Sequence, residues 1–267
     1  MPSPLFFCYF FETVAIPLIY LVLGLLLGSF ANVYFHRLPR DLPLGFSRSA
    51  CPRCASRISW FDNIPVISWL LLGGKCRSCG GRIPLRYPLV ESATALLFFW
   101  VALRLEAQPP PAAAAFVFFY YILFLAGGID LVTFFHFDRE YGVIPDSLVI
   151  LLAAGGVLSI PYNPLLASAP WSGAASALAA GAALLGFRWI AGKVLGRESL
   201  GLGDIKLVSA IGFWLGWKGI LLTLFAGSLA GLLVVGTLLA LGRTDRRSAV
   251  PFGPFLAAGS LCGLFLV

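Results

Sequence analysis

Long, uninterrupted apolar runs restrict the fold of this chain more than any other feature. Eight can be drawn, near residues 13–35, 88–105, 113–131, 143–161, 172–195, 204–217, 219–241 and 251–267. About 20 helical residues cross a bilayer core roughly 30 Å thick, and within it every backbone N–H and C=O must find a partner in the protein. Runs this long and continuous fit helices, whereas a barrel would show shorter segments of alternating polarity. The composition agrees: 59% hydrophobic and 12% charged, with a mean hydropathy of +0.91, outside the range of soluble domains. The fold class is an all-α polytopic membrane protein with about eight transmembrane helices and one small soluble insert. The expected organisation is a first transmembrane helix in 1–35, a cysteine-rich module in 36–87 and a seven-helix membrane core in 88–267. The first run is too long for a signal-peptide core and reads as a retained span.

The net charge of +7 does not indicate nucleic acid, because the basic residues lie between apolar runs rather than along one amphipathic face. They act instead as topology signals. Arg37, Arg40, Arg48, Arg53, Arg57, Lys75, Arg77, Arg82 and Arg86 fall between the first two spans, against Asp41 and Asp62. That loop is expected to be cytoplasmic, which puts the N-terminus outside and returns the connections after spans three, five and seven to the cytoplasm. Those carry Arg139, then Lys193, Arg197 and Lys206, then Arg243, Arg246 and Arg247.

The insert contains Cys51-Pro-Arg-Cys54 and Cys76-Arg-Ser-Cys79, separated by 21 residues. Paired CxxC turns bring four thiolates around one tetrahedral Zn²⁺. An oxidising compartment would favour two disulfides, but the basic flanks place the loop in a reducing one. A metal there stabilises a loop too small for a core of its own, so a structural Zn²⁺ on Cys51, Cys54, Cys76 and Cys79 is expected. Cys8 and Cys262 fall outside the pattern and read as small hydrophobes.

Four carboxylates stand at or near the cytoplasmic ends of spans: Asp130, Asp138, Asp146 and Asp204. Ionisable groups at membrane depth face an interior or a water-filled cavity and point to function. Two carboxyls sharing a partly dry site can hold a single proton between them. The ionised member then activates water while the protonated one polarises a peptide carbonyl. Asp204 follows Gly201-Leu-Gly203, whose glycines loosen the backbone beside it. The simpler reading of Asp204 is a helix N-cap.

These residues, taken with others in order, resemble the bacterial type IV prepilin peptidases (prepilin leader peptidase/N-methyltransferases), membrane aspartic proteases of the Gly-x-Gly-Asp type. The resemblance runs from about Gly24 to the C-terminus. It is carried by Gly28-Ser-Phe-Ala-Asn-Val-Tyr-Phe-His-Arg-Leu-Pro39, the two CxxC pairs with Asn63-Ile-Pro65 between them, Gly74-Lys-Cys76, Arg86-Tyr-Pro-Leu-Val-Glu91, Pro145-Asp146, Gly201-Leu-Gly-Asp-Ile-Lys206 and Pro251-Phe-Gly-Pro-Phe255. In that family the first catalytic aspartate precedes Pro-Asp by a fixed short interval. Counting back from Asp146 gives Asp138, with Asp204 as its partner and Asp130 as the competitor eight residues upstream. The charged Arg139 and Glu140 after Asp138 depart from the family pattern.

The resemblance implies an endopeptidase in the bacterial inner membrane. It would remove a short basic leader from prepilins or pseudopilins on the cytoplasmic face, cutting after a glycine and before a hydrophobic helix. It also implies N-methylation of the new terminus with S-adenosylmethionine, in the region of Glu91, Asn63 and the cysteine loop. The expected partners are these substrates and the lipid bilayer. Two readings from other classes are a carboxylate-bearing transporter, which would place acids at the midplane within internal repeats, and a non-catalytic scaffold recruiting a partner through its zinc knuckle.

Overall fold

The computed structural model describes residues 14–45, 49–136, 142–196, 200–243 and 250–266. Eight α-helices and no extended strand pairing beyond two isolated bridges occur among them, as expected for an all-α membrane protein. The chain forms two compact units, residues 1–106 and 107–267.

In the first unit, α1 (Ile16–Arg37) lies along α3 (Arg86–Arg104). The approach is set by Gly24 and Gly28, a small-xxx-small pair of the kind that lets membrane helices meet backbone to backbone. A Cβ on Gly24 would lie 2.6 Å from Ala95 Cα, and one on Gly28 would lie 2.7 Å from Glu91 Cα. Asn32, buried one turn further along, donates from Nδ2 to Tyr87 O at 3.1 Å and to Gly28 O at 3.3 Å. Between the two helices, the insert folds into two cysteine turns, a 3-10 turn at Trp60–Asn63 and the short α2 (Ile67–Leu71).

The second unit is built around α4 (Pro110–His136), the most enclosed of its helices. Around it stand α5 (Asp146–Ser159), α6 (Ser172–Leu195), α7 (Leu202–Ala240) and α8 (Gly253–Ser260), the last continuing as a 3-10 turn over Leu261–Phe265. α7 has 39 residues, and a straight helix of that length would be about 58 Å long, nearly twice the hydrocarbon thickness. It is broken at Gly216, whose φ of 62° and ψ of −170° lie outside the helical region. Ile220 Cδ1 comes 2.9 Å from where a Gly212 Cβ would be, although eight residues of straight helix separate positions by about 12 Å. The chain therefore turns back at Gly216, which yields the two spans expected at 204–217 and 219–241.

Trp214 locks this turn. It is fully buried against Phe116, Phe118 and Phe119, and its indole N–H donates to Leu152 O at 2.7 Å. The Trp214 carbonyl accepts from Asn163 Nδ2 at 2.8 Å, and Asn163 Oδ1 accepts Leu165 N–H at 3.0 Å. The Trp214 indole N–H and carbonyl and the Asn163 side chain thus all have partners, as burial in a bilayer favours.

The eight expected runs all coincide with helical segments once α7 is counted as two. Four helices are long and apolar enough to cross a membrane by length and composition: those within Ile16–Arg40, Pro110–Phe135, Ser172–Val194 and Leu202–Ala240. The others are shorter or interrupted by charge.

Candidate functional site

Asp204 is the third residue of α7, with Gly201 as the N-cap. The structure thus corrects the simpler reading of Asp204 as the N-cap itself. Its carboxylate reaches back to accept the Gly201 N–H, the reciprocal arm of a capping box. A Cβ on Gly201 would stand 2.9 Å from Asp204 Oδ2, so glycine makes room for that reach. Gly203 faces the loop before α5, where a Cβ would lie 3.3 Å from Ile144 Cβ.

Among the described residues, the carboxylate that the fold brings to Asp204 is Asp130, from the last turns of α4, close enough for its charge to act on Asp204. Asp130 is 4% exposed, and its Oδ2 accepts the N–H of Gly253, the first residue of α8, at 2.9 Å. Glycine is required on two sides of it. A Cβ on Gly253 would lie 2.8 Å from Asp130 Oδ2, and a side chain on Gly142 would run into the Asp130 carboxylate. Thr133, one turn along α4, donates to Ile129 O at 2.8 Å and accepts the Val143 N–H at 3.0 Å, which ties the returning loop to the helix beside Asp130. Asp138 lies outside the described residues. Asp146 is exposed and forms an ion pair with Lys206 at 2.7 Å, joining the starts of α5 and α7. Arg188 of α6 donates to Leu200 O just before the glycine motif.

Sequence reasoning named Asp204 and the glycines before it. It passed over Gly142, Gly253 and Thr133, although Gly253 stands in the Pro-Phe-Gly-Pro stretch quoted above. Two acids from different helices, with backbone N–H groups aimed at each, form a site able to divide one proton between a water-activating and a carbonyl-polarising carboxyl.

In the first unit, Cys51, Cys54, Cys76 and Cys79 converge, with all four Sγ atoms within 4.8 Å of one another. Zn–S bonds of about 2.3 Å in a tetrahedron need S···S separations of about 3.8 Å, and Cys51 and Cys79 stand at 4.0 Å. The residues fit the metal. The two turns share one design: Cys51 N–H donates to Ser56 O and Ala55 N–H to Cys51 O, while Cys76 N–H donates to Gly81 O and Gly80 N–H to Cys76 O. Ala55 and Gly80 both adopt positive φ, 56° and 65°. Hydrogen bonding with Ser56, 3.0 Å from Cys54 Sγ, draws that thiol down to about 6, toward the thiolate a metal binds.

In the same unit, Glu91 is buried and accepts the Val66 N–H at 2.7 Å and a hydrogen bond from the Ser29 side chain. Asn32 Oδ1 and Arg86 Nε have no hydrogen-bond partner.

Residues 22–105 match the bacterial peptidase A24 N-terminal domain, and residues 125–236 match the type IV leader peptidase family. The chain is 36% identical over 260 residues to a prepilin leader peptidase/N-methyltransferase of Aeromonas salmonicida (strain A449), covering 88% of this chain and 85% of that one. It is 34% identical over 260 residues to the protein of the same description from Pseudomonas aeruginosa, covering 89% and 86%. A third, from Myxococcus xanthus (strain DK1622), is 36% identical over 236 residues, covering 85% and 64%. No solved structure matches.

Proposed function

The chain belongs to the type IV leader peptidase family, and from that premise we propose that it cleaves the leader from prepilins or pseudopilins with an aspartic dyad and then methylates the new N-terminus. One observation carries the peptidase assignment: Asp204 and Asp130, from separate helices, share one partly buried site. The ionised carboxylate takes a proton from water as the water oxygen attacks the scissile carbonyl carbon. The protonated carboxyl donates to the carbonyl oxygen. Collapse of the tetrahedral intermediate breaks the C–N bond: the leaving nitrogen takes the proton that the first carboxyl had accepted, and a hydroxyl of the intermediate returns a proton to the second carboxylate.

The dyad proposed here pairs Asp204 with Asp130, and Asp138 is the partner that the count from Pro-Asp favours. With the N-terminus outside and α7 crossing twice, Asp130, Asp204 and Gly253 all fall at cytoplasmic helix ends, where a leader not yet removed lies. The basic loops support this orientation and a place in the inner membrane.

Zn²⁺ on the four cysteines would hold the insert together and has no part in hydrolysis. S-adenosylmethionine would supply an activated methyl group. The Glu91 carboxylate, Asn32 Oδ1 and Arg86 Nε offer acceptors suited to its ammonium and a donor suited to its carboxylate.

The test is leader removal from a pseudopilin in membranes carrying wild type, Asp130→Asn, Asp138→Asn or Asp204→Asn, with mass spectrometry of the product. The first and third variants should lose cleavage by about 10³-fold or more, while Asp138→Asn keeps it. Full cleavage by an inserted Asp130→Asn chain would return the assignment to Asp138. An added methyl mass on the wild-type product reports the second activity.

A further inference from the structure

The insert between α1 and α3 carries a face that water does not suit. In the 3-10 turn and α2, Trp60 is 81% exposed, Leu71 82%, Leu70 64% and Ile67 50%. Ile67, Leu70 and Leu71 are spaced i, i+3, i+4 and so share one side of α2. Ser68 fixes this helix to the turn by donating from Oγ to Phe61 O at 2.7 Å and accepting the Ile64 N–H at 3.0 Å, so the aromatic and aliphatic residues belong to one small body.

We infer that this body is an interfacial anchor: the α2 face and Trp60 dip into the same bilayer that α1 and α3 cross, among anionic lipid headgroups. Two observations identify lipid as the occupant. The first is depth. The helix start is pinned by Val66 N–H to Glu91, which lies five residues inside α3, about 7.5 Å along its axis. That matches the 5–10 Å to which interfacial helices bury their apolar face. Gly28 of α1 also packs on Glu91, so both spanning helices flank the level at which α2 begins. The second is charge. Between residues 49 and 86 stand Arg53, Arg57, Lys75, Arg77, Arg82 and Arg86 against Asp62 alone, and Asp62 is already paired with Arg77. Even with a zinc tetrathiolate at its centre the module stays positive, which attracts anionic headgroups and repels a basic leader. The inference rests on α1 and α3 crossing the membrane and is independent of the catalytic reading.

The experiment places a benzoylphenylalanine photoprobe at Leu71, or separately at Leu70, in the full chain in proteoliposomes of phosphatidylethanolamine and phosphatidylglycerol. Lipid adducts are read by intact mass after irradiation. A probe at Leu26, exposed on α1, serves as the lipid reference, and one at Arg57 as the water reference. Leu71 and Leu70 should give adduct yields near that of Leu26 and about fivefold above that of Arg57. Replacing phosphatidylglycerol with phosphatidylcholine should at least halve, to about 50%, the yield at Leu71 and leave Leu26 unchanged. Yields at both α2 positions no higher than at Arg57, or cross-links to a second copy instead of lipid, would overturn the anchor. The same probes in an Asp204→Asn chain separate the two readings. Lipid adducts persist there if cleavage chemistry alone is misassigned, and are missing in a fully active chain if the anchor alone is.

Discussion

Gly142 shows how much of this site depends on side chains that are not there. Gly142 lies so close to Asp130 that any Cβ at this position meets the carboxylate. Gly142→Ala should therefore insert and fold yet lose about a hundredfold in leader cleavage, because a displacement near 1 Å is enough for that. Single-turnover cleavage by the purified variant, beside an unchanged thermal midpoint, checks it. A different residue-scale expectation concerns Asp62, which the Arg77 hydrogen bond holds below the ordinary carboxylate range. A depressed folded-state value means the pair's contribution is full above the unfolded pKa of about 3.9 and is lost as pH falls through the lower folded value. The gap between wild type and Arg77→Ala in proteolytic protection of the insert should be constant from about pH 8 to 5 and close below about pH 4. The cysteine cluster and Asp204 were legible in the sequence because spacing and a short motif are local. Asp130 beside Asp204 was less legible, since tertiary packing and not spacing encloses it, and Asp138, which the count from Pro145-Asp146 names, lies outside the described residues. Gly142 and Gly253 are likewise defined by contacts more than ten residues distant in sequence.

The helices were legible as elements because the bilayer enforces their length, and even the division of α7 showed in the sequence as two apolar runs meeting near Trp217-Lys218. What did not show is how the break is held. Asn163, remote in sequence, supplies the amide that satisfies Trp214 O, and nothing in the pattern of apolar residues marks it. Replacing it with alanine leaves a buried carbonyl and the Leu165 N–H without partners, at a cost of about 1–3 kcal/mol. The expected result is a lower thermal midpoint in detergent, with the cleavage rate at permissive temperature nearly unchanged, because Asn163 lies at the opposite end of α7's first segment from Asp204. A midpoint equal to that of wild type would mean that water replaces the amide there. The Gly24/Gly28 contact between α1 and α3 could have been found from the spacing of the two glycines alone, but a glycine pair in a span becomes informative only when its partner helix is known.

At the scale of the molecule, the residues proposed for the two kinds of chemistry belong to different compact units. Every described contact of Asp130 and Asp204 lies within 107–267, whereas the cysteines, Glu91 and Asn32 lie within 1–106. Chelating the metal proposed for the four cysteines should therefore reduce N-methylation at least about tenfold more than cleavage, measured as methylated against unmethylated mature product by mass spectrometry. Equal losses would mean that the metal supports both. The division was only partly legible in the sequence, because a soluble insert between spans stands out while the helices that pack with it do not. The Gly253 N–H on Asp130 joins residues 123 positions apart, with a consequence for biosynthesis. A chain still on the ribosome has both acids of the proposed dyad in the membrane well before the helix that secures one of them has been made. Maturation of the protease thus awaits the insertion of α8, and a chain stopped before that helix would be an unarmed one.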